Sequence, residues 1–198
     1  MAEPAPQTKQ QPRQKKTLIG VLGLSAALLL MQAVPREESS RVVVATPTAD
    51  GHINLRNVAG RMYLKAYLDS IGVATACDGL TYDQQGKKVK LGERFTEEQC
   101  STMLEASLVD SASHVMSCAP GLEGHDGPKV ASALLAHNIG WPTFCRSSMK
   151  RLFNQHAYSA ACARFPLYDM AGGRHLPALK KRRIREQYIC NTGRLPYA

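Results

Sequence analysis

The residues of this 198-residue chain best suited to chemistry are its cysteines, histidines and carboxylates, and their spacing narrows what they can do. Six cysteines occur (Cys77, Cys100, Cys118, Cys145, Cys162 and Cys190), with no Cys-x-x-Cys pair among them. That pattern disfavours zinc and favours disulfides formed in an oxidising compartment, with the pairing left open. The six histidines (His52, His114, His125, His137, His156 and His175) show no metal-ligand spacing, so neither a metal nor another cofactor is expected. Asp69 stands in the string Asp69-Ser70-Ile71-Gly72, where an aspartate commonly accepts hydrogen bonds from its own downstream backbone. A basic run, Lys180-Lys181-Arg182-Arg183 with Arg185, falls on an expected C-terminal helix. It reads as a solvated face whose cations suit the helix end, or as a patch for an acidic polymer or anionic lipid.

These groups need elements to hold them. Apolar residues make up 44% of the chain, enough for a core, and the length suits one domain plus a tail. The 25 basic residues against 16 acidic ones, a formal charge of +9, favour an anionic partner. Aromatics at 6% argue against the stacking platforms of single-strand binders, and nucleic acid is not expected as a partner. Residues 1–16 are Pro- and Gln-rich and basic, which predicts a disordered tail. The 18 residues Thr17–Val34 carry no charge. As a helix they reach roughly 27 Å, the short limit for crossing a bilayer core. Basic residues before them and Glu37–Glu38 after them predict an N-terminus inside and an exported C-terminus. A signal-anchor fits this best. A cleaved signal peptide has a poor cleavage pattern here, with Met31 two residues before Ala33, and a buried core helix is the third reading. Residues 35–52 read as a linker in which Val42–Ala45 is a strand or the anchor's exit, and 53–198 as the exported domain.

Within that domain Leu55–Leu68 suggests a helix weakened by Gly60. Residues 69–79 suggest short strands with turns, and 82–92 a hairpin tip. Thr96-Glu97-Glu98-Gln99 fits a capping box opening a helix striped by Met103, Leu104, Leu108 and Val109. Further helices are expected at 128–138, 143–154, 157–165 and 178–190. The fold class is α+β, a small sheet followed by a helical body.

Four separated strings, KAYLDSIGVATACDG, LGERFTEEQC, HNIGWPTFC and ALKKRRIREQYIC, resemble the phage-type lysozymes of glycoside hydrolase family 24. The resemblance covers roughly residues 53–193 and extends to endolysins whose N-terminal signal-anchor-release segment first tethers them to the host inner membrane. It implies a lysozyme-like fold, with a small β-lobe and a mostly helical lobe flanking a cleft, preceded by a membrane-anchor helix. It also implies a muramidase that cleaves peptidoglycan for host lysis, held at the inner membrane with its domain in the periplasm or released there, and monomeric. Cys77, Cys100, Cys162 and Cys190 fall where tethered phage lysozymes often carry cysteine, and Cys118 and Cys145 flank the expected 128–138 helix. The pairing expected on that basis is Cys77–Cys100, Cys118–Cys145 and Cys162–Cys190. A structural bridge is preferred over a regulatory thiol at Cys77.

The family's proton donor is a glutamate nine residues before an aspartate, with a threonine six residues after it. Asp69 matches the aspartate and Thr75 the threonine, as catalytic carboxylate and water-placing group, while Asn138 in His137-Asn138-Ile139-Gly140 resembles a cleft-lining asparagine. The glutamate has no match, since its place falls on Gly60, or on Ala59 with a one-residue shift. Leu80 also stands where the family has histidine, and Asp78 where it has an aromatic residue. Such a reaction needs a donor. Glu37, Glu38 and Asp78 are the candidates to replace it. The alternative is a catalytically inactive lysozyme-like protein, membrane-anchored, that binds glycan or forms part of a virion.

Overall fold

A computed structural model describes residues 16–69 and 71–197 of the chain. The expected disordered tail at 1–16 lies outside them, apart from Lys16. The uncharged N-terminal stretch forms two helices, α1 (Leu18–Leu22) and α2 (Leu24–Ser39). They break at Gly23, whose φ of 84° and ψ of 160° suit only glycine. Thr17 caps α1, its hydroxyl accepting from the Gly20 amide. Leu18, Leu22, Ala26, Ala27, Leu30, Met31, Ala33 and Val34 are all buried. No described helix is long and apolar enough to cross a membrane.

The folded body therefore begins at Leu18 and not at residue 53. The stretch expected as a linker is also built in: residues 35–39 finish α2, and β1 (Val42–Pro47) pairs antiparallel with β2 (Ile53–Ala59). The helix expected over Leu55–Leu68 is instead β2 and β3 (Tyr63–Leu68), separated at Gly60 with φ 91°. Period-two burial won there: Ile53 and Leu55 turn inward while Asn54 and Arg56 face out. A second hairpin pairs β3 with β4 (Ala74–Cys77), with Tyr67 opposite Thr75.

The helical body follows the expected order with shifted ends. The Thr96 capping box opens α3 (Glu97–Cys118). Then come α4 (Asp126–Ile139), α5 (Trp141–Cys145), α6 (Ser148–Asn154), α7 (Tyr158–Cys162), a short hairpin of β5 (Met170–Ala171) and β6 (Arg174–His175), and α8 (Pro177–Thr192). Ser147 caps α6 and splits the single helix expected over 143–154. At the centre lies α4, with Val130, Ala131, Ala133, Leu134, Leu135 and Ala136 buried, packed by α2, α3, α5 and α8. The three disulfides join Cys77–Cys100, Cys118–Cys145 and Cys162–Cys190, the expected pairing.

Two buried charges hold α1 at its ends. The Leu18 amide donates to Glu105 Oε1 at 3.1 Å, and Lys129 Nζ donates to the Leu22 carbonyl at 3.3 Å. Both signs match the helix dipole.

Candidate active site

A cleft of about 690 Å³ runs between the β3–β4 lobe and the helical body, lined by Glu38, Asp78, Tyr82, Asp110, His137 and Asn138 among others. Neither Asp69 nor Thr75 is among the described residues that line it. Asp69 Oδ1 accepts from the Ile71 and Val73 amides at 3.0 and 2.8 Å, the turn role its sequence context suggested. Thr75, buried across the hairpin, donates to the Val73 carbonyl at 3.1 Å. Asn138 does line the cleft. Its Oδ1 accepts from Arg183 at 2.9 Å, which turns the amide Nδ2 into the free donor.

The three candidate replacement carboxylates have different surroundings. Glu37 is buried and fully engaged: Arg185 donates to both its oxygens at 2.7 and 2.6 Å, and the Tyr197 hydroxyl donates to Oε1. Burial alone would raise its carboxyl, but these bonds hold it below the usual carboxylate range. The same contact and burial push the Tyr197 phenol upward. Asp78 lines the cleft but has both oxygens on Arg41, one of them shared with Ser39. Glu38 differs from both. Its Oε1 forms an ion pair with Arg182 at 2.8 Å, and its side chain remains 25% exposed. A Cβ added to Gly79 would lie 3.9 Å from Glu38 Oε2, so this second oxygen sits over the β-lobe edge of the cleft.

Sequence spacing offered Glu38 only as one of three candidates, because it lies 31 residues before Asp69 instead of nine. The β1–β2 hairpin fills the difference. Gly60, the position that simple counting reaches, packs behind α2, where an added Cβ would meet the Arg41 Cα at 2.9 Å. The available signal was the Glu37-Glu38 pair ending an apolar stretch, matched by Arg182 and Arg185 three residues apart.

That match corrects the reading of the basic run. Arg182 and Arg183 are buried and Arg185 is taken by Glu37, so much of the run faces inward. Glu186 sits between Arg182 and Arg183, its Oε1 3.2 and 2.8 Å from their nitrogens and its Oε2 unpartnered. Burial pushes its carboxyl up to about 7 against the opposing pull of the two arginines. A native value above the ordinary 4.5 means the folded chain keeps a proton that the unfolded chain loses between pH 4.5 and about 7. This contribution to stability is complete below pH 4.5 and is lost as pH rises through about 7. The thermal midpoint is expected to fall across that window. Each kcal/mol lost should lower it by roughly 2–4 °C. Glu186→Gln should flatten the slope, as calorimetry at several pH values would show; equal slopes would contradict it. Beside Glu38, burial holds the His137 imidazole below its usual value despite the upward pull of Glu38.

A partly exposed glutamate at a helix end, lining a cleft beside a β-lobe, suits acid-assisted cleavage of a glycosidic bond. Comparison with known proteins agrees. The phage lysozyme family profile matches residues 59–186. The SAR-endolysin of Enterobacteria phage P21 is 29% identical over 154 residues, covering 77% of this chain and 88% of its own. The endolysin of Salmonella phage P22 is 32% identical over 145 residues, covering 72% of this chain and 95% of its own. The solved endolysin from Escherichia coli O157:H7 phage FAHEc1 superposes with a TM-score of 0.63 at 24% identity, covering 69% of this chain and 87% of that one. This chain, with its lysozyme-like α+β fold, belongs to the phage lysozyme family and is a lysozyme-type glycoside hydrolase.

Proposed function

We propose that the chain is a peptidoglycan-cleaving endolysin in which Glu38 is the proton donor, working as a monomer in the periplasm after its N-terminal segment has left the inner membrane. The observation that carries this is the position of Glu38 in the cleft, at the end of the same helix that contains most of the uncharged segment. Glu38 Oε2 delivers the proton to the leaving oxygen, and Asn138 Nδ2 donates to an acceptor on the glycan. By the family spacing, Asp69, through its Oδ2, and Thr75 would supply the second oxygen-bearing group and place the attacking water once the β3–β4 lobe meets the glycan, since neither is among the described residues that line the cleft itself. Their support is the family spacing and the register that sets both at one end of the β3–β4 hairpin.

Tether and active site exclude one another in this reading. A helix spanning a bilayer must run unbroken through Gly23, whereas the folded chain breaks there and buries the segment under α3 and α4. Glu38 therefore reaches the cleft only after release. The test is fractionation of cells expressing the full chain. Early product should resist alkaline extraction and be inert, while later product of the same mass should be soluble and clear peptidoglycan. A shortened product would mean a cleaved signal instead.

Gly23→Ala should prolong the tethered phase. No atom lies within 4 Å of the added Cβ, so packing permits it. The dihedrals do not, at roughly 1–3 kcal/mol, while a continuous helix gains about 1 kcal/mol from Ala. The membrane-bound fraction at a fixed time should rise at least several-fold. Unchanged partitioning would show that the break at Gly23 does not govern release.

A further inference from the structure

Beneath the cleft, which Asp78 lines, lies a buried ion pair that proton transfer does not use. Arg41 Nε donates to Asp78 Oδ1 at 2.9 Å, and its NH2 lies 2.5 Å from Oδ2. Both side chains are 1% exposed. Ser39 Oγ donates to the same Oδ1 at 2.7 Å, and Arg41 NH1 reaches Asn57 Oδ1 on β2 at 3.2 Å. Ser39 and Arg41 follow Glu38 at once and after three residues, with Ser40 between them in a left-handed turn, φ 57°. On the other side, Asp78 follows Cys77, which is bonded to Cys100 of α3. Asp78 thus fastens the end of α2 to the β-lobe through two neighbours of the proton donor.

Stability alone does not account for this arrangement. A buried ion pair is often no more stabilising than a well-packed apolar pair of the same size. What the bidentate contact and the Ser39 bond supply is geometry, and misplacement of a reacting group by about 1 Å can cost on the order of 10²-fold in rate. The pair also cancels a negative charge that would otherwise stand beside Glu38 in the same cleft.

We propose that Asp78, neutralised by Arg41, is a positioning residue that sets the Glu38 carboxyl over Gly79. This inference rests on the reading of Glu38 as proton donor. The other charged or titratable groups packed near Glu38 or lining the same cleft are Arg182 and Arg183 of α8, His137 of α4, Glu37 on its own helix, Asp110 of α3, and Tyr82 and Asp83 of the loop after β4. All are left intact by the test.

The test measures kcat and KM of the full chain on soluble peptidoglycan fragments across pH, for Arg41→Met, Asp78→Asn and the double variant Arg41→Met/Asp78→Leu. Arg41→Met leaves an uncompensated anion near Glu38 and should move the alkaline limb of the kcat profile upward. Asp78→Asn leaves an uncompensated cation and should move it downward. The double variant restores neutrality and should keep the wild-type limb and a melting temperature within a few degrees. Its kcat should nevertheless fall at least 10-fold, with KM changed less than threefold. The opposite limb shifts report the charge beside Glu38, and the kcat loss of the neutral, stable double variant reports positioning, which a merely structural pair would not show. Limbs moving together, or a native-like double variant with undiminished kcat, would overturn the proposal. If either single variant fails to fold, the double variant still decides. A Glu38→Gln chain that remains fully active would instead overturn the donor reading, whatever the brace variants do.

Discussion

Glu38→Gln should reduce peptidoglycan clearing by roughly 10² to 10⁴-fold, the range a positioned general acid contributes. A sugar alkoxide is a poor leaving group, so the upper part of that range is expected. The substitution keeps the size of the side chain and can keep a hydrogen bond to Arg182, which pairs with Glu38 Oε1. Folding should therefore survive. The melting temperature should stay within a few degrees of wild type while turbidity clearing disappears. Glu37→Gln provides the contrast. It removes the charge that Arg185 grips with two bonds, in a site where the Glu37 side chain is 1% exposed. Breaking a pair on its buried side costs stability, about 3–5 kcal/mol for a fully buried case and less here because Arg185 is partly in water. The expected outcome is a lower melting temperature with chemistry retained. Exchange of these two phenotypes would assign the proton donor to Glu37. Wild-type protein that binds peptidoglycan without cleaving it would revive the inactive, glycan-binding alternative.

A chain beginning at residue 40 should not fold. It would keep every strand and every helix from α3 onward, yet it would lose Leu18, Leu22, Leu30, Met31 and Val34 from the core, along with three buried alanines. Burial of a large apolar side chain is worth about 1.5–3 kcal/mol. Five of them come to roughly 7–15 kcal/mol, as large as the whole net stability of an ordinary domain at about 5–15 kcal/mol. The loss would also strand Glu105 and Lys129, whose charges face the two ends of α1. Circular dichroism should show no cooperative melt, and clearing activity should be absent. A cooperative transition at the wild-type temperature would show that the N-terminal helices are dispensable to the body.

Much of the body was legible because local chemistry and tertiary packing agree there. The Thr96–Gln99 box and the stripe through Met103 and Leu108 each specify one structure at short range. Around the site they disagree. Residues 55–68 have enough leucine and alanine to suggest a helix, and only their pairing with distant strands resolves them as β2 and β3. Thr17–Val34 meets the length rule for a membrane span and also supplies buried side chains to the core of the folded body; hydropathy registers both uses alike. Asn138 was legible because its string stays intact. Glu38 was legible only as one of three candidates, because an inserted hairpin separates it from Asp69, and a count along the chain cannot see that Ser39 and Arg41 return to Asp78.

Each of the three disulfides closes a long stretch of chain, with separations of 23, 27 and 28 residues. Links of that span typically restrict the unfolded ensemble by about 2–4 kcal/mol apiece. A polypeptide whose thiols are kept reduced forfeits all three contributions, and the fold it could reach would be correspondingly fragile. The durability of the body is thus tied to the redox poise of its surroundings: an oxidising medium supplies it and a reducing one withholds it.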